Sequence, residues 1–124
     1  MFKEICSQIP RGSLVICDII GTFYKRKGDK LVFTDLDGFI ELWKHVRGNL
    51  IFLTGHPSHR DIHSGFKKLN LTYADYTVLY TSIPKGDYLK NYKFPTHTVF
   101  IDNNINQIRS VQRQCPSIQT FYFK

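Results

Sequence analysis

One stretch constrains the fold of this chain more than any other: the run from Ser13 to Phe23, which reads SLVICDIIGTF. Its apolar residues lead directly into Asp18, and Gly21 and Thr22 follow as a turn. A short apolar run bounded by turn residues is typical of a strand buried on both faces, as at the centre of a parallel sheet. In such sheets the chemistry lies just beyond the carboxyl ends of the strands. Asp18 is therefore a candidate nucleophile or metal ligand.

The rest of the chain alternates short apolar runs with amphipathic segments. Beyond a lead-in segment at 1–12, the pattern predicts strands at about 13–18, 49–55, 76–80, 97–102 and 118–123, and helices at about 39–46, 57–69, 88–92 and 104–114. This alternation predicts a single α/β domain over residues 1–124 with a three-layer, Rossmann-like fold. We expect a mostly parallel central sheet of about five strands, with helices on both faces.

The segment between the first strand and the first helix is polar and basic. Residues 27–30, KGDK, suit a tight turn, and segments 22–24 and 31–33 on either side suit strands. We expect a β-hairpin flap that lies over the end of the sheet. Its basic residues at 25–27 form either an exposed tip or a surface that grips the substrate.

Composition excludes several classes of protein and leaves the partner open. The hydrophobic fraction of 42% argues against disorder, and no apolar run approaches the ~20 residues of a membrane helix. Without a signal-peptide pattern, and with three widely spaced cysteines, we expect reduced thiols in a cytoplasmic, intracellular protein. The formal net charge of +7 favours an anionic partner: a phosphorylated small molecule, a nucleotide, a phosphoprotein or a nucleic acid. A lysine-rich, soluble surface explains this scattered charge equally well.

Four polar side chains lie at predicted strand ends or adjoining turns: Asp18, Thr54, Lys85 and Asp102. Parallel strands bring such ends to one edge of a sheet, so we expect the four to converge. Phosphoryl transfer suits this set, because it needs a nucleophile, charge neutralisation and positioning. One carboxylate forms an aspartyl-phosphate while a hydroxyl and an ammonium hold the phosphate oxygens. The second carboxylate favours Mg²⁺, which prefers oxygen ligands.

Four short motifs in this order resemble those of the haloacid dehalogenase (HAD) superfamily. DIIGT at 18–22 resembles the family's Asp-x-Asp-x-Thr, and LTG at 53–55 resembles its second motif. KGD at 85–87 and IDN at 101–103 resemble the third and fourth. The resemblance extends over about residues 13–123 and leaves no room for a large cap domain, so it implies a small, capless member.

The resemblance implies roles for individual positions. It implies that Asp18 is the nucleophile and that Thr54 and Lys85 are the other catalytic residues, acting on the phosphate. It implies Mg²⁺ as the cofactor. The implied metal ligands are Asp18, the backbone carbonyl of Ile20, Asp102 and Asn103, and the implied substrate contacts are Thr22, Gly55 and His56.

Two positions depart from the family pattern. The second Asp of the first motif, which protonates the leaving group and later activates water, is Ile20 here, and isoleucine does neither. Asn103 stands where many members have a second acid. General acid–base catalysis contributes roughly 10²- to 10⁴-fold. The departures therefore predict either a slow or specialised phosphohydrolase, or a catalytically inactive HAD-like domain that binds a nucleic acid or a protein assembly.

A second pair of aspartates offers a rival first motif. TDLDGF at 34–39 also follows an apolar run, and Asp37 would supply the missing acid if Asp35 were the nucleophile. Phe39 replaces the family's threonine there, and no flap would fit, so we expect Asp35 or Asp37 to cap the following helix. The histidines at 56, 59 and 63 are expected at a solvated, phosphate-facing helix start rather than in a zinc site.

Overall fold

The computed structural model describes residues 1–55, 64, 67, 77–94 and 96–124. The strands in these ranges are β1 (Leu14–Cys17), β2 (Tyr24–Lys27), β3 (Lys30–Phe33), β4 (Leu50–Thr54), β5 (Thr77–Tyr80), β6 (Thr98–Asp102) and β7 (Gln119–Tyr122). The helices whose bounds are described are α1 (Phe2–Cys6), α2 (Leu36–His45), α3 (Lys85–Leu89) and α4 (Ile105–Gln114).

Five strands form one parallel sheet in the order β5-β4-β1-β6-β7. The chain builds outward from the central β1 through β4 to β5, and then returns to place β6 and β7 on the other side. The strand order therefore reverses beside β1. In open α/β sheets, ligands bind at this switch point, beyond the carboxyl ends of the strands. The predicted α/β fold and parallel sheet are confirmed.

Two apolar clusters cover the two faces of the sheet. One, which we call the α1/α2 cluster, contains residues of α1 and α2 together with Val15 and Cys17 of β1. The other contains residues of α3 and α4 together with Ile16. The side chains of Val15, Ile16 and Cys17 in β1 are fully buried. The central strand is therefore buried on both faces, as the all-apolar run predicted, and helices lie on both faces of the sheet.

The lead-in segment begins with helix α1, and this helix is part of the core. Phe2 and Ile5 of α1 have no exposed surface. The ring centroid of Phe2 lies 5.5 Å from that of Phe39 in α2 and 4.9 Å from that of Phe123, just after β7. The N-terminal helix therefore joins the first and last parts of the chain.

The predicted hairpin is confirmed. Strands β2 and β3 pair antiparallel, with Lys27 opposite Lys30, and Gly28 in the turn has a φ of +63°. One side of the hairpin packs on the α1/α2 cluster through Tyr24 and Phe33. Its predicted role as a flap over the end of the sheet stays a prediction.

Two helix starts differ from the prediction. Helix α2 begins at Leu36 rather than at Phe39, because the carboxylate of Asp35 caps it by accepting the Gly38 N–H at 3.1 Å. This confirms the expected cap and accounts for the rival aspartate motif. The helix predicted at 88–92 instead spans Lys85–Leu89. The helix predicted at 57–69 lies almost entirely outside the described residues.

Two further features of the fold concern the cysteines and the lengths of the helices. All three cysteines are free, and burial raises the pKa of the Cys17 thiol well above its usual value. A buried thiol with a raised pKa is a poor nucleophile, so Cys17 acts as a small apolar side chain. Across the described ranges, no helix combines the length and apolar character needed to cross a membrane.

Candidate functional site

Two aspartates emerge side by side at the carboxyl edge of the sheet. Strands β1 and β6 are direct neighbours, with Cys17 opposite Ile101. Asp18 is the first residue after β1, and Asp102 is the last of β6. The two residues are only 7% and 1% exposed. Because a buried carboxylate is costly without a partner, this pair needs a compensating charge.

Lys85 supplies that charge. Its Nζ lies 2.7 Å from Oδ1 of Asp18 and 2.7 Å from Oδ2 of Asp102, and the lysine is itself 3% exposed. The ring of Phe100 lies beneath it, with Nζ 5.9 Å from the ring centroid. One buried ammonium therefore joins two carboxylates at the switch point of the sheet.

Close packing between α3 and α4 sets the position of Lys85. The Gly86 N–H donates to Oγ of Ser110 at 2.9 Å, and a Cβ at position 86 would lie 2.2 Å from the Ser110 carbonyl oxygen. The Lys85 N–H donates to Oε1 of Gln107 at 2.9 Å. Only glycine permits this approach, so the sequence KG at 85–86 places the lysine at the very start of α3.

The charges of the site act strongly on one another. Burial, and then the Asp18 carboxylate, raise the pKa of Asp102 to about 6, although Lys85 acts in the opposite direction. Burial acts to lower the pKa of Lys85, but the two carboxylates outweigh it and raise that pKa above 10.5. Lys85 therefore stays protonated. With both carboxylates ionised, the three side chains carry one net negative charge, which suits a site for a cation together with an anionic ligand.

The other oxygen of Asp18 is held by Thr22. The threonine hydroxyl lies 3.1 Å from Oδ2 of Asp18 and 3.3 Å from Oδ1 of Asn103. It has one proton, so it donates to one of these oxygens at a time. Thr22 is fully buried behind Asp18 and orients the carboxylate. The substrate contact expected of Thr22 stays a prediction, because its hydroxyl faces Asp18.

The turn after Asp18 is fixed at both ends. Gly21 has a φ of +86°, and a Cβ there would lie 2.2 Å from Nδ2 of Asn103, so a side chain would displace Asn103. Phe23 is buried, with its ring centroid 4.5 Å from that of Phe39 and 4.9 Å from that of Phe52. The Phe23 ring therefore packs the turn against the α1/α2 cluster.

A cavity of about 270 Å³ lies at this edge of the sheet, and we call it the Asp18 cavity. Most of the predicted site residues line it, and the structure brings them together as the topology led us to expect. His56 lies outside the described residues. The lining residues are Asp18, Ile20, Thr54, Gly55, Lys85, Asp102, Asn103, Asn104 and Gln107.

The sequence analysis did not predict that Asn104 and Gln107 line this cavity. The Asn104 N–H donates to Oδ1 of Asp102 at 2.9 Å, and the Asn104 side chain caps α4 by accepting the Asn106 N–H. Gln107, three residues further on, receives the Lys85 N–H. An Asn before a helix with Gln three residues later is close to the spacing of a capping box, so a capping signal was present in the sequence.

The donor set fits Mg²⁺. The described part of the chain has no cluster of three or more His, Cys, Asp or Glu side chains able to hold a metal ion. The carboxylates of Asp18 and Asp102 belong to residues that line the cavity together with Asn103 and Ile20, which carry a side-chain amide and a main-chain carbonyl. All four offer oxygen, and Mg²⁺ commonly binds one or two carboxylates while water and phosphate complete its shell.

Ile20 brings an apolar side chain into this polar cavity. It lines the cavity and is 44% exposed. An isoleucine side chain neither gives nor accepts a proton, so position 20 offers no acid–base group to a ligand bound beside Asp18.

A parallel sheet of this strand order, with helices on both faces and acids beyond two adjacent strands, defines an open, Rossmann-like α/β fold. A solved structure with this fold is the N-terminal part of the protein BF1531 from Bacteroides fragilis, which contains a phosphatase domain and is complexed with Mg. The match has a TM-score of 0.64 and 18% identity, and it covers 96% of this chain but 38% of that one. No protein-family model and no curated protein matches the sequence.

Proposed function

We propose that this chain is a Mg²⁺-dependent phosphohydrolase that forms an aspartyl-phosphate on Asp18. One observation carries the proposal: the Lys85 ammonium lies 2.7 Å from oxygens of both Asp18 and Asp102 at the switch point of the sheet. The similarity in fold to the Mg-complexed structure from B. fragilis, whose chain contains a phosphatase domain, adds support.

In the proposed reaction, an Asp18 oxygen attacks the phosphorus of a phosphate monoester as the bond to the leaving oxygen breaks. The Lys85 ammonium and the Thr54 hydroxyl hold the phosphoryl oxygens as charge moves onto them. Water then attacks the aspartyl-phosphate, which frees inorganic phosphate and restores the Asp18 carboxylate. When bound, Mg²⁺ supplies further neutralisation of the phosphoryl charge. The groups that would hold it are Asp18, Asp102, Asn103 and the Ile20 carbonyl.

In this proposal, the contacts of the Asp18 carboxylate prepare it as the nucleophile. Lys85 holds one oxygen of Asp18 and Thr22 lies against the other, so the carboxylate is fixed in its plane before a substrate arrives. A fixed nucleophile loses less freedom on reaching the transition state. Thr22 therefore acts as a positioning residue in this proposal.

Ile20 makes the proposed enzyme slow toward leaving groups that need a proton. Acid–base assistance contributes roughly 10²- to 10⁴-fold to such reactions. Replacing Ile20 by Asp places a carboxyl group on the wall of the cavity, and we expect turnover to rise. A variant that stays as slow as the native chain would show that more than the acid is missing.

The test of the proposal is hydrolysis of p-nitrophenyl phosphate with Mg²⁺, compared between the native chain, Asp18→Asn and Asp37→Asn. Asp37 is an exposed carboxylate in the first turn of α2, outside the Asp18 cavity, and serves as the matched control. We expect Asp18→Asn to abolish turnover and Asp37→Asn to retain it. Activity that survives Asp18→Asn would overturn the assignment, and loss in Asp37→Asn alone would point to the rival motif.

The apolar Ile20 and the neutral Asn103 on the cavity wall favour a second candidate function. In it, the domain binds a phosphorylated ligand, such as a nucleic acid, without hydrolysing it. Salt-sensitive binding of RNA or DNA, with no metal-dependent turnover in the native chain or in Ile20→Asp, would favour this candidate. Turnover that depends on Asp18 would exclude it.

A further inference from the structure

A second space lies beside the Asp18 cavity, along the loop between β5 and α3. This space, of about 410 Å³, is lined by Gly55, residues 80–85 and Gln107, and we call it the Ile83 groove. It shares Gly55, Lys85 and Gln107 with the Asp18 cavity. The two spaces therefore adjoin along these three residues, and we call them together the path from Asp18 to the β5–α3 loop. Their combined volume exceeds that of a phosphoryl group.

Two exposed isoleucines flank this path. Ile20 lines the Asp18 cavity and is 44% exposed, while Ile83 lines the Ile83 groove and is 49% exposed. Single exposed apolar residues are ordinary on a protein surface, but here one borders each of two adjoining spaces, and a ligand that extends over both spaces can contact both residues. The exposed ring of Pro84 extends the apolar surface of the groove.

The loop holds Ile83 in a fixed orientation. The hydroxyl of Thr81 lies 3.1 Å from the main-chain N–H and 3.1 Å from the carbonyl oxygen of Ile83. The Thr81 N–H in turn donates to the Thr54 carbonyl at 3.0 Å. Ile83 is therefore presented to solvent by a loop tied to the sheet, which limits the entropy lost when a ligand covers it.

The charges of the path allow for one phosphoryl group. Of the described residues that line the two spaces, Lys85 alone is cationic, and it already pairs with Asp18 and Asp102. Beyond that cluster, the described walls carry hydroxyls, amides and apolar groups. They suit a neutral, apolar organic group better than a second phosphate.

The chemistry of the leaving group points the same way. Ile20 has no proton to give to a departing oxygen. A phenol such as the tyrosine side chain has a pKa of about 10, well below that of an alkyl alcohol, so a phenolate departs far more readily without a proton. An aryl ester matches both the exposed isoleucines of the two spaces and the missing acid.

We propose that the Ile83 groove binds the aromatic ring of an aryl phosphate monoester whose phosphoryl group lies at Asp18. The inference rests on the proposed function and narrows its substrate class. A small aryl phosphate and the phosphotyrosine side chain of a peptide share this chemistry, and turnover of phenyl phosphate against a phosphotyrosine peptide distinguishes the two sources.

Binding is measured with two phosphonates that cannot be hydrolysed. Calorimetry with Mg²⁺ present compares phenylphosphonate with methylphosphonate on the native chain, on Ile83→Ser and on Ile40→Ser. Ile40 is the matched control, because it is 41% exposed in α2 and lines neither space. We expect the native chain to prefer phenylphosphonate by about tenfold, Ile83→Ser to lose most of that preference, and Ile40→Ser to keep it.

Hydrolysis provides the second measurement. We expect kcat/KM for phenyl phosphate to fall in Ile83→Ser while the value for methyl phosphate changes little. Equal binding of the two phosphonates, or a preference unchanged in Ile83→Ser, would overturn the inference even if the chain is a phosphatase. A preference that depends on Ile83 without any turnover would support the groove and refute the hydrolase. The two failures are thus distinguishable.

Discussion

Replacing Lys85 with Met tests whether its ammonium stabilises the buried carboxylates of Asp18 and Asp102. The two oxygens that share Nζ each lie 2.7 Å from it. They therefore lie within about 5.4 Å of one another, where two unit charges repel by about 3 kcal/mol at an effective dielectric constant of about 20. Removing one partner of a buried ion pair usually costs about 3–5 kcal/mol. For 124 residues this lowers Tm by about 12–20 °C.

The assay is thermal unfolding, followed by circular dichroism at pH 7.5 without Mg²⁺. Lys90→Met is the matched control, because Lys90 is an exposed lysine at the C-terminal end of the same helix. We expect this control to change the free energy of unfolding by less than about 0.5 kcal/mol. The comparison separates loss of the buried ammonium from loss of a lysine in general.

Acid provides a second readout. The folded pKa of Asp102, about 6, lies above its ordinary value of 3.8, so the folded state binds this proton more tightly than the unfolded state does. Its contribution to stability is therefore greatest at low pH and is lost as the pH rises through that interval. Without the ammonium the pKa should rise further. Lys85→Met should then regain more stability than the native chain on moving from pH 7.5 to about pH 5.5.

Two results would refute this reasoning. One is a Tm for Lys85→Met within about 3 °C of the native value at pH 7.5, which corresponds to less than 1 kcal/mol. The other is the expected loss of stability in Lys85→Met at pH 7.5, without any extra recovery of stability when the pH is lowered to about 5.5. The first would show that the carboxylates do not need the cation, and the second that their repulsion is not the cause of the loss.

Three further substitutions test other contacts. Thr22→Val removes the hydroxyl that orients the nucleophile, and steady-state kinetics should show kcat about tenfold lower with KM little changed, whereas unchanged kcat would contradict a positioning role. Gly86→Ala forces a methyl group against the Ser110 carbonyl, so urea unfolding should show a loss of about 1–3 kcal/mol, and native stability would contradict the close packing. Phe2→Ala should lower the free energy of unfolding by about 3–5 kcal/mol in the same assay, and an unchanged stability would contradict the burial of Phe2.

The sheet was predictable because its signals are local. The runs before Asp18 and Asp102 are short and mostly apolar, and every residue of β6 is buried in the structure. Helix α3 was misplaced because a Lys-Gly pair after proline resembles a turn. Its formation depends on the contact of Gly86 with Ser110, far along the chain. No local propensity encodes that contact.

The convergence of the acids was likewise predictable, because parallel strands that return beside β1 end at one edge of the sheet. The finer arrangement was not. Thr22 lies in the turn after Asp18 with its hydroxyl facing that carboxylate. Asn104 and Gln107 line the cavity because the exact start of α4 sets the direction of their side chains. A shift of one residue in a helix rotates a side chain by about 100°.

The packing of Phe2 against Phe123 has a consequence for biosynthesis. Their ring centroids are 4.9 Å apart, so α1 and the residue after β7 meet in the same cluster although they lie far apart in the sequence. A nascent chain lacks this contact until β7 and Phe123 have left the ribosome, and contacts of such wide sequence separation close late in folding. Until then Phe2 in α1 lacks this partner, and a chaperone that binds apolar segments would bind α1.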